Sequence, residues 1–237
     1  MRVTGKGGGD DGLVLNSEEV KEITSEGFIS DNAIDACLLL LEKKLYEKET
    51  YRDISVYSIS QCRLILNGYS GHIGNDRFMT IIPKNLVMDD YRLYKDAKEK
   101  GKSRSDFGGF HFTLVTNLYC NKGEVNFFQT LEYYRSPSML LNEEEKRLLK
   151  LLCKCGSNPL KVKAIKVPLQ KENECGPLAF ELAQKFCFYH DEGRLNSKVN
   201  NSRKHLLSCL KADKIIDLQL EFEGESENDS VLFSYYI

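Results

Sequence analysis

The chain of 237 residues has no tryptophan, only four histidines and only five prolines. It has no apolar run long enough to span a bilayer and no apolar leader stretch at its start. Its charge is nearly balanced, at −2, which argues against nucleic-acid binding as the main task, since phosphate binding wants a basic face, and leaves room only for a local basic patch. Cys153-Lys154-Cys155 is a close thiol pair, but no second Cys or His pair stands at zinc spacing from it. The Gly5-Lys6 pair is followed by Gly7 rather than Ser or Thr, and Gly68, Gly71 and Gly74 lack a strand-to-helix frame. These absences argue against membrane spanning, nucleic-acid binding as the main task, a phosphate loop, and any metal or cofactor.

What is present is ordinary for one soluble domain: 41% hydrophobic and 29% charged residues. The eight cysteines are scattered, mostly beside apolar runs, which reads as reduced thiols in the cytosol or nucleus. Residues 1–16 read as a flexible Gly-rich tail, 17–220 as the domain, 87–107 as a charged surface insertion, and 221–237 as an acidic tail. Within the domain, helical spacing is expected after Ser30-Asp31 (Ile34, Cys37, Leu38, Leu41, Leu45) and after Asn142, where Glu145 completes a capping box. Strands are expected over 53–57, 78–82, 110–115, 124–128 and 160–167, with Asn121-Lys122-Gly123 as a hairpin turn and Gly156 ending the Asn142 helix. Helices cluster at both ends of the chain, which favours α+β.

One stretch carries reactive chemistry. A polar loop ends in Glu174-Cys175-Gly176, and Leu178, Ala179, Leu182, Ala183 and Phe186 then recur at helical spacing. A cysteine at a loop-to-helix junction sits among free backbone N–H groups at the positive end of the helix dipole, and both favour thiolate. Gly176 permits close backbone approach. Gln170 can donate toward an oxyanion. His111, inside an apolar strand, needs a polar partner, and Cys175 is the candidate. Gln129, at the end of the paired strand, is the candidate to orient the imidazole.

The ordered set His111-Phe112, Gln129, Gln170 and Cys175-Gly176 resembles the ubiquitin-like-protein proteases, the SUMO- or sentrin-specific cysteine proteases of adenain-like fold. That family reads His-Trp, a strand ending Tyr-Asp-Ser-Leu, then Gln and Asp-Cys-Gly. Phe28-Ile29-Ser30-Asp31-Asn32-Ala33-Ile34 resembles its helix entry, Ile81-Ile82-Pro83 its strand before the histidine, and Asn201 to Leu207 its final Arg-containing helix. The resemblance implies a papain-like fold, a central mixed or antiparallel sheet flanked by helices. It implies a thiol peptidase or isopeptidase cleaving after the diglycine end of a ubiquitin-like modifier. Cys175 would be the nucleophile, His111 the base and acid, Gln170 an oxyanion donor and Gln129 the orienting residue. Phe112, Phe28, Asp31 and Gly176 would contact substrate. The implied partner is a modifier or its conjugates, handled by a monomer.

Three departures keep a second reading open, a weakened or inactive domain that binds a modifier or partner. Gln129 stands for Asp, Phe112 for Trp, and the Gln170–Cys175 gap is one residue short. Ile215-Ile216-Asp217-Leu218 before an acidic run resembles a SUMO-interacting segment; an ordinary C-terminal element is the alternative.

Overall fold

The computed structural model describes residues 1–5, 12–25, 29–69, 71, 73–84, 111–130, 141–167, 173–189, 198–199, 201–218, 220–221 and 231–237. The expected insertion over 87–107 lies outside them.

The helices form where apolar spacing and caps coincide. In α1 (Ser17–Thr24), Asn16 accepts from the Glu19 N–H and the Glu19 carboxylate accepts from the Asn16 N–H, a reciprocal capping box. In α2 (Asp31–Tyr46), Ser30 caps the first turn, and Ala33, Ile34, Ala36, Cys37, Leu38, Leu40, Leu41 and Leu45 are buried. So continuous an apolar surface belongs to a helix covered on several sides. It packs on the sheet and on its helical neighbours. Each such large side chain contributes roughly 1.5–3 kcal/mol by leaving water. In α3 (Ile59–Leu66) a second capping box forms between Ser58 and Gln61. Asp35 of α2 adds its carboxylate to that helix start, accepting from Ile59 N–H at 2.6 Å and Ser60 Oγ at 2.7 Å. The expected Asn142–Glu145 box opens α4 (Glu143–Leu152). Lys154, with φ of 51°, turns the chain at its end before Gly156 does. The remaining helices are α5 (Cys175–Phe188) and α6 (Ser202–Ala212).

Six strands make one mixed sheet: β3 (Ile54–Tyr57), β4 (Arg77–Pro83), β5 (Phe112–Thr116), β6 (Glu124–Gln129), β7 (Lys161–Lys166) and β10 (Val231–Tyr236), in the order β10-β7-β6-β5-β4-β3. The β3–β4 and β6–β7 pairs are parallel, and the others antiparallel. Parallel neighbours need a crossover, supplied by α3 and α4. Two short pairs lie apart, β1 (Arg2–Val3) with β2 (Leu13–Val14) and β8 (Lys198–Val199) with β9 (Leu220–Glu221).

Both ends of the chain depart from expectation. Residues 1–16 are not simply a flexible tail: β1 and β2 pair, Val3 and Leu15 are in the core, and Thr4 bonds the Asp213 carboxylate, which also holds Lys43 at 3.3 Å. The acidic tail contains β10, which adds to the sheet beside β7. Ile215 and Leu218 are buried at 7% and 8% exposure, so their side chains pack within this chain and the segment is structural.

Candidate active site

The site lies at one margin of the sheet. β4 ends at Pro83, paired with Phe112 at the start of β5; β6 ends at Gln129, level with Lys166 at the end of β7. α5 packs across β5 with its N-terminus over this margin. His111 is not inside the strand, as its neighbours suggest, but one residue before it. Its carbonyl accepts from the Lys84 N–H at 2.9 Å, which fixes the backbone there although the ladder has ended. Lys84 is held in turn by Asn142, whose Nδ2 donates to the Lys84 carbonyl at 3.0 Å.

Cys175 is the first residue of α5, and Glu174 before it provides no side-chain cap. The first-turn N–H groups of a helix have no intrahelical acceptors. Here those of Cys175 and Gly176, with the Phe112 N–H from β5, turn toward the Cys175 sulfur. Burial nevertheless raises the thiol pKa above its ordinary value; the three N–H groups and the nearby Arg203 charge pull the other way. Cys175 as a residue is 3% exposed and His111 6%. Cys175 is therefore a shielded thiol beside the His111-Phe112 backbone, its ionisation opposed by burial. Ionising it requires a base to take the proton or further donors to reach the sulfur.

Gly176 explains how the helix comes so close. A Cβ on it would lie 3.0 Å from Ile34 Cδ1 and 3.3 Å from Phe112 Cδ2. Phe112 itself is 1% exposed and packs within this contact. Asp31 begins α2 and pairs with Arg63 of α3 at 2.5 Å. Phe28 and Gln170 lie outside the described residues, and of Gln129 only the backbone is described.

Two residues beyond the sequence-predicted set belong to this margin. Thr130 Oγ1 is 3.5 Å from His111 Nε2, and Thr130 is buried. The register explains it: Val115 pairs with Phe127 and Thr116 with Asn126, so the same pairing carried onward sets Thr130, rather than Gln129, opposite Phe112. Continuing the strand by one residue would have found it. Arg203 of α6 is buried, donates to the Asn173 carbonyl at 2.7 Å and reaches the surroundings of the thiol. The family resemblance marks its helix as Arg-containing, but the contact with the Asn173 turn emerges only from tertiary packing. Among the described residues no group of three or more His, Cys, Asp or Glu side chains is arranged to hold a metal ion.

A mixed sheet flanked by helices, with a cysteine opening the helix that crosses it, is a papain-like fold. Solved structures that share it include SUMO proteases. A de-sumoylating protease superposes with a TM-score of 0.55 at 14% identity, over 90% of this chain and 91% of that one. The SUMO protease Ulp1 with its catalytic cysteine oxidised to a sulfinic acid gives 0.54 at 11% identity, over 85% of each chain. The C-terminal Ulp1 protease domain in complex with Smt3, the yeast ortholog of SUMO, gives 0.51 at 12% identity, over 90% of this chain and 88% of that one. No family model matches the chain, and no curated protein matches it in sequence.

Proposed function

We propose that the chain is a cysteine peptidase that cleaves after the diglycine end of a ubiquitin-like modifier, from a precursor or from a conjugate. The observation that carries this reading is the seating of the Cys175 sulfur at the start of α5, against the N–H of the residue that follows His111, in a fold shared with SUMO proteases.

In this reading His111 takes the thiol proton, and the sulfur attacks the carbonyl of the terminal glycine. The tetrahedral oxyanion is met by the Cys175 N–H and by the Gln170 amide. Collapse breaks the C–N bond, and His111 returns its proton to the departing amine. Water, deprotonated by His111, then attacks the thioester, releasing the glycine carboxylate and the thiol. Gln129 and Thr130 at the end of β6 hold the imidazole; a neutral partner fixes its tautomer but stabilises the imidazolium less than a carboxylate does. The raised thiol pKa fits general-base activation better than a standing thiolate. Asp31, fixed by Arg63, and Phe28 serve the modifier, and Phe112 with Gly176 shapes the approach to the thiol.

The test is covalent capture. The protein is incubated with a panel of ubiquitin-like modifiers bearing C-terminal vinyl sulfone or propargylamide groups. Wild type is expected to form an adduct with at least one, and Cys175→Ala with none. Measurable binding without any adduct would replace this reading with that of a modifier-binding module.

A further inference from the structure

The turn that delivers Cys175 is held from behind by the Arg203 side chain. Asn173 has φ of 60°, a left-handed conformation that Asn tolerates better than most residues. Its carbonyl accepts from Arg203 Nη2 at 2.7 Å. The second prong, Nη1, donates at 3.1 Å to the carbonyl of Glu22 in the last turn of α1, where helix carbonyls lack intrahelical donors. A planar guanidinium has a fixed fork geometry, so two acceptors on separate segments are set relative to each other. The fork itself cannot drift. Beside it, Ser202 Oγ donates to the Glu181 carboxylate, which pairs with Lys185 at 2.5 Å inside α5; these two side chains are 4% and 1% exposed. The first turn of α6 is thus pinned to the body of α5 through Ser202 and to the approach of α5 through Arg203.

We propose that Arg203 is the positioning residue of the Cys175 nucleophile: by clamping the Asn173 turn to α1 and α6 it sets where the sulfur stands against the Phe112 N–H. The inference rests on Cys175 being the reactive group. Two consequences separate positioning from mere support of the fold. The clamp acts on one turn, so its loss loosens Asn173–Gly176 selectively. The guanidinium charge also favours the ionised thiol, so its removal shifts the ionisation of Cys175 while the other thiols keep theirs.

The test needs no modifier, so its outcome is separate from that of the capture experiment. Cys175 alkylation by iodoacetamide is followed against pH by peptide mass spectrometry, with amide hydrogen exchange measured on the same proteins. In Arg203→Met the Cys175 profile is expected to move to higher pH, because the guanidinium charge favours the ionised thiol. Exchange at 173–176 is expected to quicken about tenfold or more, as loss of a charge-assisted hydrogen bond implies, with exchange in α4 unchanged. A folded Arg203→Met whose Cys175 profile superimposes on the wild type overturns the proposal, whatever its melting temperature. Should that variant not fold, Arg203→Lys decides. It keeps the charge but cannot span both carbonyls, so the profile stays and exchange at 173–176 still quickens. Wild-type exchange there in the Lys variant overturns the proposal.

Discussion

Glu145 couples the stability of this protein to pH at a point one ion pair and one hydrogen bond from His111. Its carboxylate caps α4 by accepting from the Asn142 N–H at 2.7 Å and stands 3.7 Å from Lys84 Nζ. Lys84 in turn donates its N–H to the His111 carbonyl. The side chain is 2% exposed, and burial pushes its pKa up to about 7, against the opposing pull of Lys84 and of the Asn142 N–H; Glu144 adds a smaller upward push. The folded pKa is raised above the unfolded one, so the folded state binds the proton more tightly. The stability this contributes is full below about pH 4.5 and is lost as pH rises through about 7. A shift of this size corresponds to about 3 kcal/mol in total. Glu145→Gln retains an oxygen for the Asn142 N–H but cannot ionise. The attraction between Lys84 and the ionised carboxylate already enters the folded pKa of Glu145, so its loss belongs to the titration and is not a separate cost. Urea unfolding of both proteins from pH 5 to 8 isolates the titration, because other groups cancel in the difference. Across this window the difference should move by about 2.5 kcal/mol in favour of Gln as pH rises, the remainder of the total falling below pH 5. A difference that stays constant across this window would refute the assignment of the raised pKa to Glu145.

Three further outcomes follow from the packing around the site. Gly176→Ala inserts a Cβ 3.0 Å from Ile34 Cδ1 and should cost about 1–3 kcal/mol by urea unfolding, with slower capture by modifier probes; unchanged stability and capture would mean that the contact relaxes freely. Lys185→Met leaves Glu181 charged and buried and should cost roughly 3–5 kcal/mol in thermal or urea unfolding, most of it recovered in the double variant with Glu181→Leu. Thr130→Val removes the hydroxyl facing His111 Nε2; adduct formation should slow roughly tenfold with little change in melting temperature, and an unchanged rate would assign the imidazole's orientation to other groups.

What the sequence reveals is what local physics decides. The Asn142–Glu145 box, the buried face of α2 and the loop-to-helix setting of Cys175 each depend on residues within a turn or two of one another. β10 does not: its partner β7 is far upstream and an acidic stretch precedes it, so its pattern reads as tail until the sheet edge is in view. Val3 is likewise hidden, because strands of two residues carry no period. The same division runs through the site. Cys175 and His111 stand out because a cysteine opening a helix and a histidine beside an apolar strand conflict with simple packing. Thr130 and Arg203 conflict with nothing. A threonine at a strand end and an arginine in a helix's first turn are unremarkable until register and tertiary packing give them partners.

The position of the site follows from where the ladder stops. Lys84, His111, Thr130 and Val167 each lie one residue beyond the end of a strand, on four neighbouring strands at one margin. Inside the sheet, strand alternation dictates which face each side chain takes, and both faces here are filled by the core. One step beyond the ladder, that constraint lapses and backbone groups must find other partners. The Lys84 N–H takes the His111 carbonyl, and the Phe112 N–H, at the first residue of β5, turns to the Cys175 sulfur. The backbone bond that fixes the histidine and the N–H that meets the thiol therefore arise from the ends of adjacent strands, and the helix that opens on Cys175 closes over them because Gly176 lets it. A change that shifts the β4–β5 register would displace both partners together, whereas one that perturbs α6 reaches the thiol by a separate route, through Arg203 and the Asn173 turn.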